Sequence, residues 1–386
     1  MRKIQISAST MDVDTSFEIG QGSSIIAQTV RIGRGVIIGD KVSIVADEVI
    51  LEDGVKIGSK VQLLSPVVQL RLSSQLSGDL EAEFNEYFRL GPYSTIGKNV
   101  VMVGQGFQSG EYLWMKENVI VGGGGARGPR SYLTIGDHTS VFDKCYINLS
   151  ELVNIGSQSA LSASVSLLTH AAWQPALMGF STKFGSIEIG DYSVIYLNSS
   201  VMPGVKIGDY VTIGASSLVT TDVPNHCLAT GVPAVIKKGP QGYPYPMTDQ
   251  QKLELIYDIV VDYLTSLPHK GIDVVSDRVY ESAFAEITVN GSVERIVVLN
   301  SSAAKGCQKK PLITLSLEEV PESFFGTTHF DLKNQKMHGE ATSLAEDFRD
   351  YLRRRAIRVI TGKPYKVLPQ KNLSRLKEIR KKEHML

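Results

Sequence analysis

The segment SVSLLTH ends at His170, and a stretch of different character, AAWQPALMGFSTKFGS (171–186), follows at once. A histidine beside a loop that shields it from water suits one task. Its imidazole takes a proton from a hydroxyl or amine while that atom attacks a carbonyl. Such a base needs a second group to fix which ring nitrogen carries hydrogen. A carboxylate or a backbone carbonyl could serve, and the sequence does not choose between them. Asn148, in CYINLS, could hold an acceptor hydroxyl or a carbonyl oxygen, or simply occupy a turn. Trp173, inside the loop, could stack on a sugar face or anchor the loop. No covalent route is suggested. Ser162, Ser164 and Ser166 lack an activating arrangement, and Cys145 and Cys227 have no histidine neighbour beyond the sequential His226. A zinc centre would need three histidines meeting across coils. His138 and His170 have no third partner nearby in the chain, and His226 lies beyond the last regular anchor, so no metal is expected.

What positions such a residue is a count in sixes. Ile189, Ile195, Val201, Ile207, Ile213 and Val219 fall at every sixth position. The same rhythm runs through Ile19 and Ile25, then Ile32, Ile38, Ile44 and Ile50, then Ile57, Ile96 and Ile135, and on through Val141, Ile147 and Val153. After a slip it passes to Ile155, Leu161 and Leu167. Glycine often follows the anchor, as at Gly33, Gly39, Gly136, Gly190 and Gly208. Helices do not tolerate this density of glycine and β-branched residues. A short strand and a turn per six residues account for both, with one branched side chain pointing inward. Three units make a triangular coil of about eighteen residues, and stacked coils pair in parallel and pile Ile on Ile. A sandwich of short strands with glycine turns is the alternative. Stacking at that spacing lets Asn148 approach the Ser166–His170 region.

Three segments break the count and are expected to leave the prism as loops: about 65–91, 105–131 and 171–186. In the first, EAEFNEYFRL reads as a short helix. They are surface ornament or the rim of a cleft. The rhythm stops near Gly239, so residues 1–240 are read as one β domain. KKGPQGYPYP (237–246) has the composition of a linker. Residues 247–386 read as a compact α+β domain. Within it TDQQKLELIYDIVVDYLTSL (248–267) is an amphipathic helix capped by Thr248. RIVVLN and PLITLSL are strands, and EATSLAEDFRDYLRRRA is a helix leading into a strand, IRVITG. No motif in this domain names a chemistry.

The bulk numbers limit the partners. Forty basic residues balance forty acidic ones among 386, which gives no argument for nucleic acid or an anionic membrane, and neither is expected. Three dispersed cysteines (Cys145, Cys227, Cys307) form no disulfide framework and suit a reducing compartment. The N-terminus, MRKIQISASTMDVD, turns acidic where a signal peptide is apolar. No apolar run is long enough to span a bilayer. A cytoplasmic location is expected.

The repeat of a branched residue, glycine and four more resembles that of the hexapeptide-repeat acyltransferases. VMPGVKIGDYVTIGASSLVTTDVPNHCLATGVPAVI (201–236) is similar to the closing signature of the branch holding galactoside, maltose, serine and streptogramin acetyltransferases. The resemblance covers residues 15–240 and implies a mainly β fold, a left-handed parallel β-helix with inserted loops. It implies a homotrimer with active sites between subunits, and acetyl-CoA as acyl donor. LLTH matches the branch's general base at His170. The pantetheine arm would touch Gly214, Ala215 and Ser216, and Thr220 and Thr221 match the corner near the adenine end. Relatives often carry a lysine at the second of these, so Lys237 and Lys238 are candidate phosphate contacts, or a solvated tail. Val194-Ile195-Tyr196-Leu197 departs from the usual Trp-Ile-Gly-Ala/Ser, and Tyr196 and Leu197 add bulk where small residues line the thioester groove. The implied activity is O-acylation of a sugar or small hydroxylated acceptor by direct attack, as in polysaccharide biosynthesis. N-acylation of an amino sugar and a non-catalytic β-helix scaffold are the alternatives.

Overall fold

The computed structural model describes residues 5–276, 284–299 and 310–383, so Cys307 and His384 lie outside it. Two compact units are present, Met1–Tyr245 and Pro246–Leu386. The first is a left-handed β-solenoid of hexapeptide repeats. All but the last of its coils pair in parallel, and each coil contributes strands to three faces. On the first face one internal ladder runs Ile6, Ile25, Ile44, Leu63, Ala82, Met102, Val121, Ile147, Leu167, Val201 and Val219. From Ile25 onward every member is at most 5% exposed, so the prism interior is one continuous apolar core.

Glycine follows the anchor for a packing reason. Coils stack at the β-strand spacing, and a methyl on Gly190 would sit 2.7 Å from the carbonyl carbon of Gly208 on the next coil. The space beneath belongs to Asp209, whose Oδ1 accepts the Asp191 N–H at 2.8 Å. Gly190→Ala is therefore expected to cost about 1–3 kcal/mol through overpacking, read as a lower urea midpoint for the solenoid. An unchanged midpoint would refute this reading of the repeat.

The coil length differs between the halves. Ser24 pairs with Ser43, and Ser43 with Gln62, nineteen residues apart. Glu188 pairs with Lys206 and Val194 with Thr212, eighteen apart. A strict count of six therefore slips by one residue per coil in the N-terminal half. Ile50 faces outward and is half-buried, and Val49 and Leu51 carry the core there. The same slip explains the segment 65–91, which does not leave the prism. Val67–Leu70, Gln75–Leu76 and Glu81–Leu90 are regular strands of the stack. EAEFNEYFRL is thus the longest solenoid strand, not a helix. Its alternation breaks only where the register shifts between Phe84 and Tyr87. Much of 105–131 is also strand: Val101–Ser109, Trp114–Met115 and Ile120–Gly122. Only residues 123–131 leave the coil there. Residues 171–186 leave it after His170 as a largely exposed excursion.

The second unit is a six-stranded sheet with helices. Helix α1 (Asp249–Ser266) starts at Thr248 with a capping box closed by Gln251, and buries Ile256, Tyr257, Ile259, Val260, Tyr263 and Leu264. Strands Ser292–Leu299 and Ile313–Ser316 and helix α2 (Ser343–Arg353) lie where the sequence pattern put them. IRVITG does not form a strand and makes one isolated bridge, Ile360 with Lys336. Helix α3 (Lys371–Glu383) follows. Among the described residues no helix is long and apolar enough to cross a membrane.

Candidate active site

His170 sits where the first face of the solenoid turns a corner, half-buried, with its strand residues His170–Ala171 paired antiparallel to Lys183–Phe184. That hairpin places the Phe184 ring nearly parallel to the imidazole, with centroids 5.7 Å apart. Beneath it is a buried polar cluster from the preceding coil and the turn: Asn148, Ser150 and Thr169, exposed by 1%, 7% and 0%.

Counting hydrogens in this cluster fixes the tautomer of the neutral ring. The Asn148 amide nitrogen donates to the carbonyls of Gly122 (3.1 Å) and Gly124 (3.3 Å). Its oxygen is therefore the atom turned toward Thr169 Oγ1 (2.6 Å) and His170 Nδ1 (2.8 Å). An amide oxygen only accepts, so Nδ1 carries the hydrogen. Ser150 Oγ gives its one hydrogen to the Gly124 carbonyl and presents lone pairs to Nδ1 at 2.9 Å. Thr169 Oγ1 in turn accepts from the backbone N–H of Ser150 (3.0 Å) and Glu151 (3.2 Å). Every polar group in the cluster has a partner, so in the neutral ring the outer nitrogen, Nε2, carries the lone pair. That is the tautomer a general base requires.

The residues 123–131 complete the site. Arg130 forms a two-pronged pair with Glu151, its second contact at 2.5 Å, and Arg127 does the same with Glu83 at 2.8 and 2.9 Å. The guanidinium beside each holds Glu151 and Glu83 below the usual carboxylate range. The Gln105 amide donates to the Arg127 carbonyl at 3.1 Å. So pinned, the loop lays its glycines over Asn148 and Ser150. Among the described residues no charged side chain hydrogen-bonds to His170; its ring partners are Asn148, Ser150 and Phe184, all neutral.

The expected residues separate into groups. Asn148 and His170 are brought together. Thr220 lies on the same corner, two coils beyond Leu168, and it and Thr221 are exposed. Tyr196 and Leu197 stack on Gly214, Ala215 and Ser216 at the turn before that face. The Tyr196 N–H bonds the Ile213 carbonyl (3.0 Å) and the Ser216 N–H bonds that of Leu197 (2.8 Å). Tyr196 and Leu197 are 49% and 46% exposed. Between the two corners runs a floor with small side chains, Ser166 over Ser200, followed by Leu218. Lys237 lies on an outer hairpin strand, Val235–Lys238, and is exposed. Lys238 is held by Tyr245. Trp173 is 95% exposed. His138 and His226 belong to stacked aromatic columns at another corner, against Tyr112 and Tyr210. Cys145 is buried, which pushes its thiol up to about 11.

Sequence reasoning missed Ser150, Thr169, Phe184 and the loop glycines. The run of four glycines at 122–125 was the signal that could have found the loop.

Comparison with known proteins agrees with this architecture. Residues 186–221 match the model of the bacterial transferase hexapeptide (six repeats). YvoF of Bacillus subtilis is 30% identical over 87 residues, covering 22% of this chain and 48% of the relative. SAS0727 of Staphylococcus aureus is 33% identical over 107 residues, covering 27% and 63%. Both are named, provisionally, as acetyltransferases. Among solved structures, the hexapeptide-repeat-containing acetyltransferase VCA0836 of Vibrio cholerae is 27% identical. That match covers 28% of this chain and 62% of the other, at a TM-score of 0.26. The chain spans about half the length of the first relative and under two thirds of the other two. Over these segments the solenoid is similar to hexapeptide-repeat acetyltransferases, and the matches single out no branch among them.

Proposed function

We propose that the protein is an acyl-CoA-dependent O-acyltransferase that uses acetyl-CoA and acts on a sugar or another small hydroxylated acceptor. The observation that carries this reading is the hydrogen-bonded lock on His170 Nδ1, which leaves Nε2 as a base at a solvent-accessible corner. His170 Nε2 takes the proton from the acceptor hydroxyl as its oxygen attacks, and returns it to the departing sulfur. Asn148 and Ser150 hold the ring and accept from Nδ1–H throughout. The donor, when bound, supplies a thioester carbonyl open to attack. The floor of Ser166 and Ser200, between the Tyr196–Ser216 turn and the Thr220 corner, fits a narrow amide-bearing arm, because small side chains leave it room. A hydroxyl suits the site better than an amine. An amino acceptor arrives as an ammonium ion and seeks a carboxylate, and among the described residues His170 hydrogen-bonds to the neutral Asn148 and Ser150.

The homotrimer with sites between subunits belongs to the same proposal. It is supported by the apolar tip of the excursion, where Trp173, Leu177 and Met178 are 95%, 104% and 75% exposed.

The test is calorimetric titration with coenzyme A, followed by thiol release from acetyl-CoA in the presence of glucose, galactose, maltose and N-acetylglucosamine. Saturable binding and acceptor-dependent release with an O-acetyl product are expected. Absence of coenzyme A binding would contradict the proposal and favour a scaffold.

A further inference from the structure

Four consecutive glycines, Gly122–Gly125, lie against the site, and three have a structural need to be glycine. Gly122 has φ +131°. Gly123 has φ +86°, and a methyl there would run into the Tyr146 hydroxyl. Gly125 has φ +81°, and its methyl would lie 2.5 Å from Ser150 Oγ. Gly124 differs. Its φ is not positive, and a methyl would meet only two atoms within 4 Å, Cε1 and Nε2 of His170, both at 3.6 Å. That is ordinary contact, so neither backbone strain nor packing asks for glycine. Of the ring atoms, the added carbon would meet within that range only Cε1 and Nε2, the end of the imidazole that faces away from Asn148 and Ser150.

That end carries the lone pair. The space beside Gly124 therefore adjoins Nε2, and a side chain there would crowd a hydroxyl approaching that nitrogen. Its side of the site is also distinct from the donor floor. The loop springs from Ile120–Gly122, which pairs with the coil of Asn148, before His170 in the stack. Ser200, Met202 and Thr220 lie on the coils after it. We infer that Gly124 determines acceptor access: its missing side chain is the opening through which the acceptor hydroxyl reaches His170. This rests on the reading of His170 as the base, and it identifies the loop side as the acceptor side. Bulk at this position selects against acceptors by size without touching the donor floor.

The test uses the full chain with Gly124→Ala, Gly124→Val and Gly124→Leu. Diethyl pyrocarbonate acylates neutral imidazole, and peptide mass spectrometry reports its rate at His170 with His226 as internal control. His170 should be modified in the parent protein, more slowly with each larger residue, while His226 is unaffected. In parallel, coenzyme A affinity should hold while acceptor-dependent thiol release falls, by about 10²-fold for leucine if the reacting atoms are displaced by an ångström. Modification of His170 at the parental rate in Gly124→Leu, or none in the parent, would overturn the inference. The two readings fail separately. If bulk at 124 shields His170 but His170→Ala still transfers acetyl groups, the base assignment is wrong and the opening leads elsewhere. If His170→Ala is inactive and Gly124→Leu is not shielded, only the access role is lost.

Discussion

His170→Ala is expected to lower acceptor-dependent thiol release by about 10²–10⁴-fold, the usual contribution of a positioned general base. In free-energy terms this is about 3–5 kcal/mol of transition-state stabilisation. The loss should fall on kcat, because the ring acts on a proton that moves only as the bond forms. Coenzyme A affinity should hold, since the donor floor proposed above is Ser166, Ser200 and the turns on either side, not the imidazole. Folding should hold as well, because His170 is half-buried and at a corner, outside the Ile/Val/Leu core. Steady-state kinetics beside calorimetry checks this. A variant with parental kcat would remove the base from the account.

The second large effect is on stability, in the C-terminal unit. Asp347 on α2 is fully buried and accepts from Lys270 Nζ (2.6 Å), Tyr263 Oη (2.9 Å) and the Leu368 N–H (2.7 Å). One carboxylate thus ties α1, the turn after it, α2 and the segment before α3. The Lys270 side chain is only 3% exposed. Asp347→Ala leaves that ammonium buried without its counter-charge and the Tyr263 hydroxyl without an acceptor. Breaking such a pair from one side costs about 3–5 kcal/mol. Two units need not unfold together, so urea denaturation followed by hydrogen exchange should show the loss in Pro246–Leu386 and leave the solenoid midpoint in place. A shift below about 1 kcal/mol, the scale of an exposed pair, would contradict the description of this contact.

The parts of the molecule legible in sequence are those where local and stacked periods agree. From Ile189 to Val219 coils of eighteen residues keep the six-residue count in phase, and the fold follows directly. From Ile6 to Ala82 each coil has one residue more, so the same physics writes a pattern that drifts, and 65–91 reads as an interruption. EAEFNEYFRL misleads twice, through glutamates that favour helices and through a register shift that breaks its alternation. At the site, His170 was visible because it ends an anchored segment before an excursion. Its link to Asn148 was visible through stacking, although the coil there is twenty residues long, Tyr146 pairing with Ser166, and the two lie 22 residues apart. Ser150, Phe184 and Gly124 were not legible. Their places depend on how the excursions fold back within coils lengthened to 26 and 34 residues, as between Ile120 and Tyr146 or Ser166 and Ser200. A stacking count carries no information about that.

The whole account turns on which nitrogen of one imidazole is bare. Nitrogen-15 NMR of the histidine-labelled protein, read through long-range proton–nitrogen couplings, measures it directly. The predicted result is a protonated Nδ1 and a lone-pair Nε2 for His170, with the preference weakened in Asn148→Ala. A ring protonated at Nε2 instead, and unchanged in that variant, would contradict it.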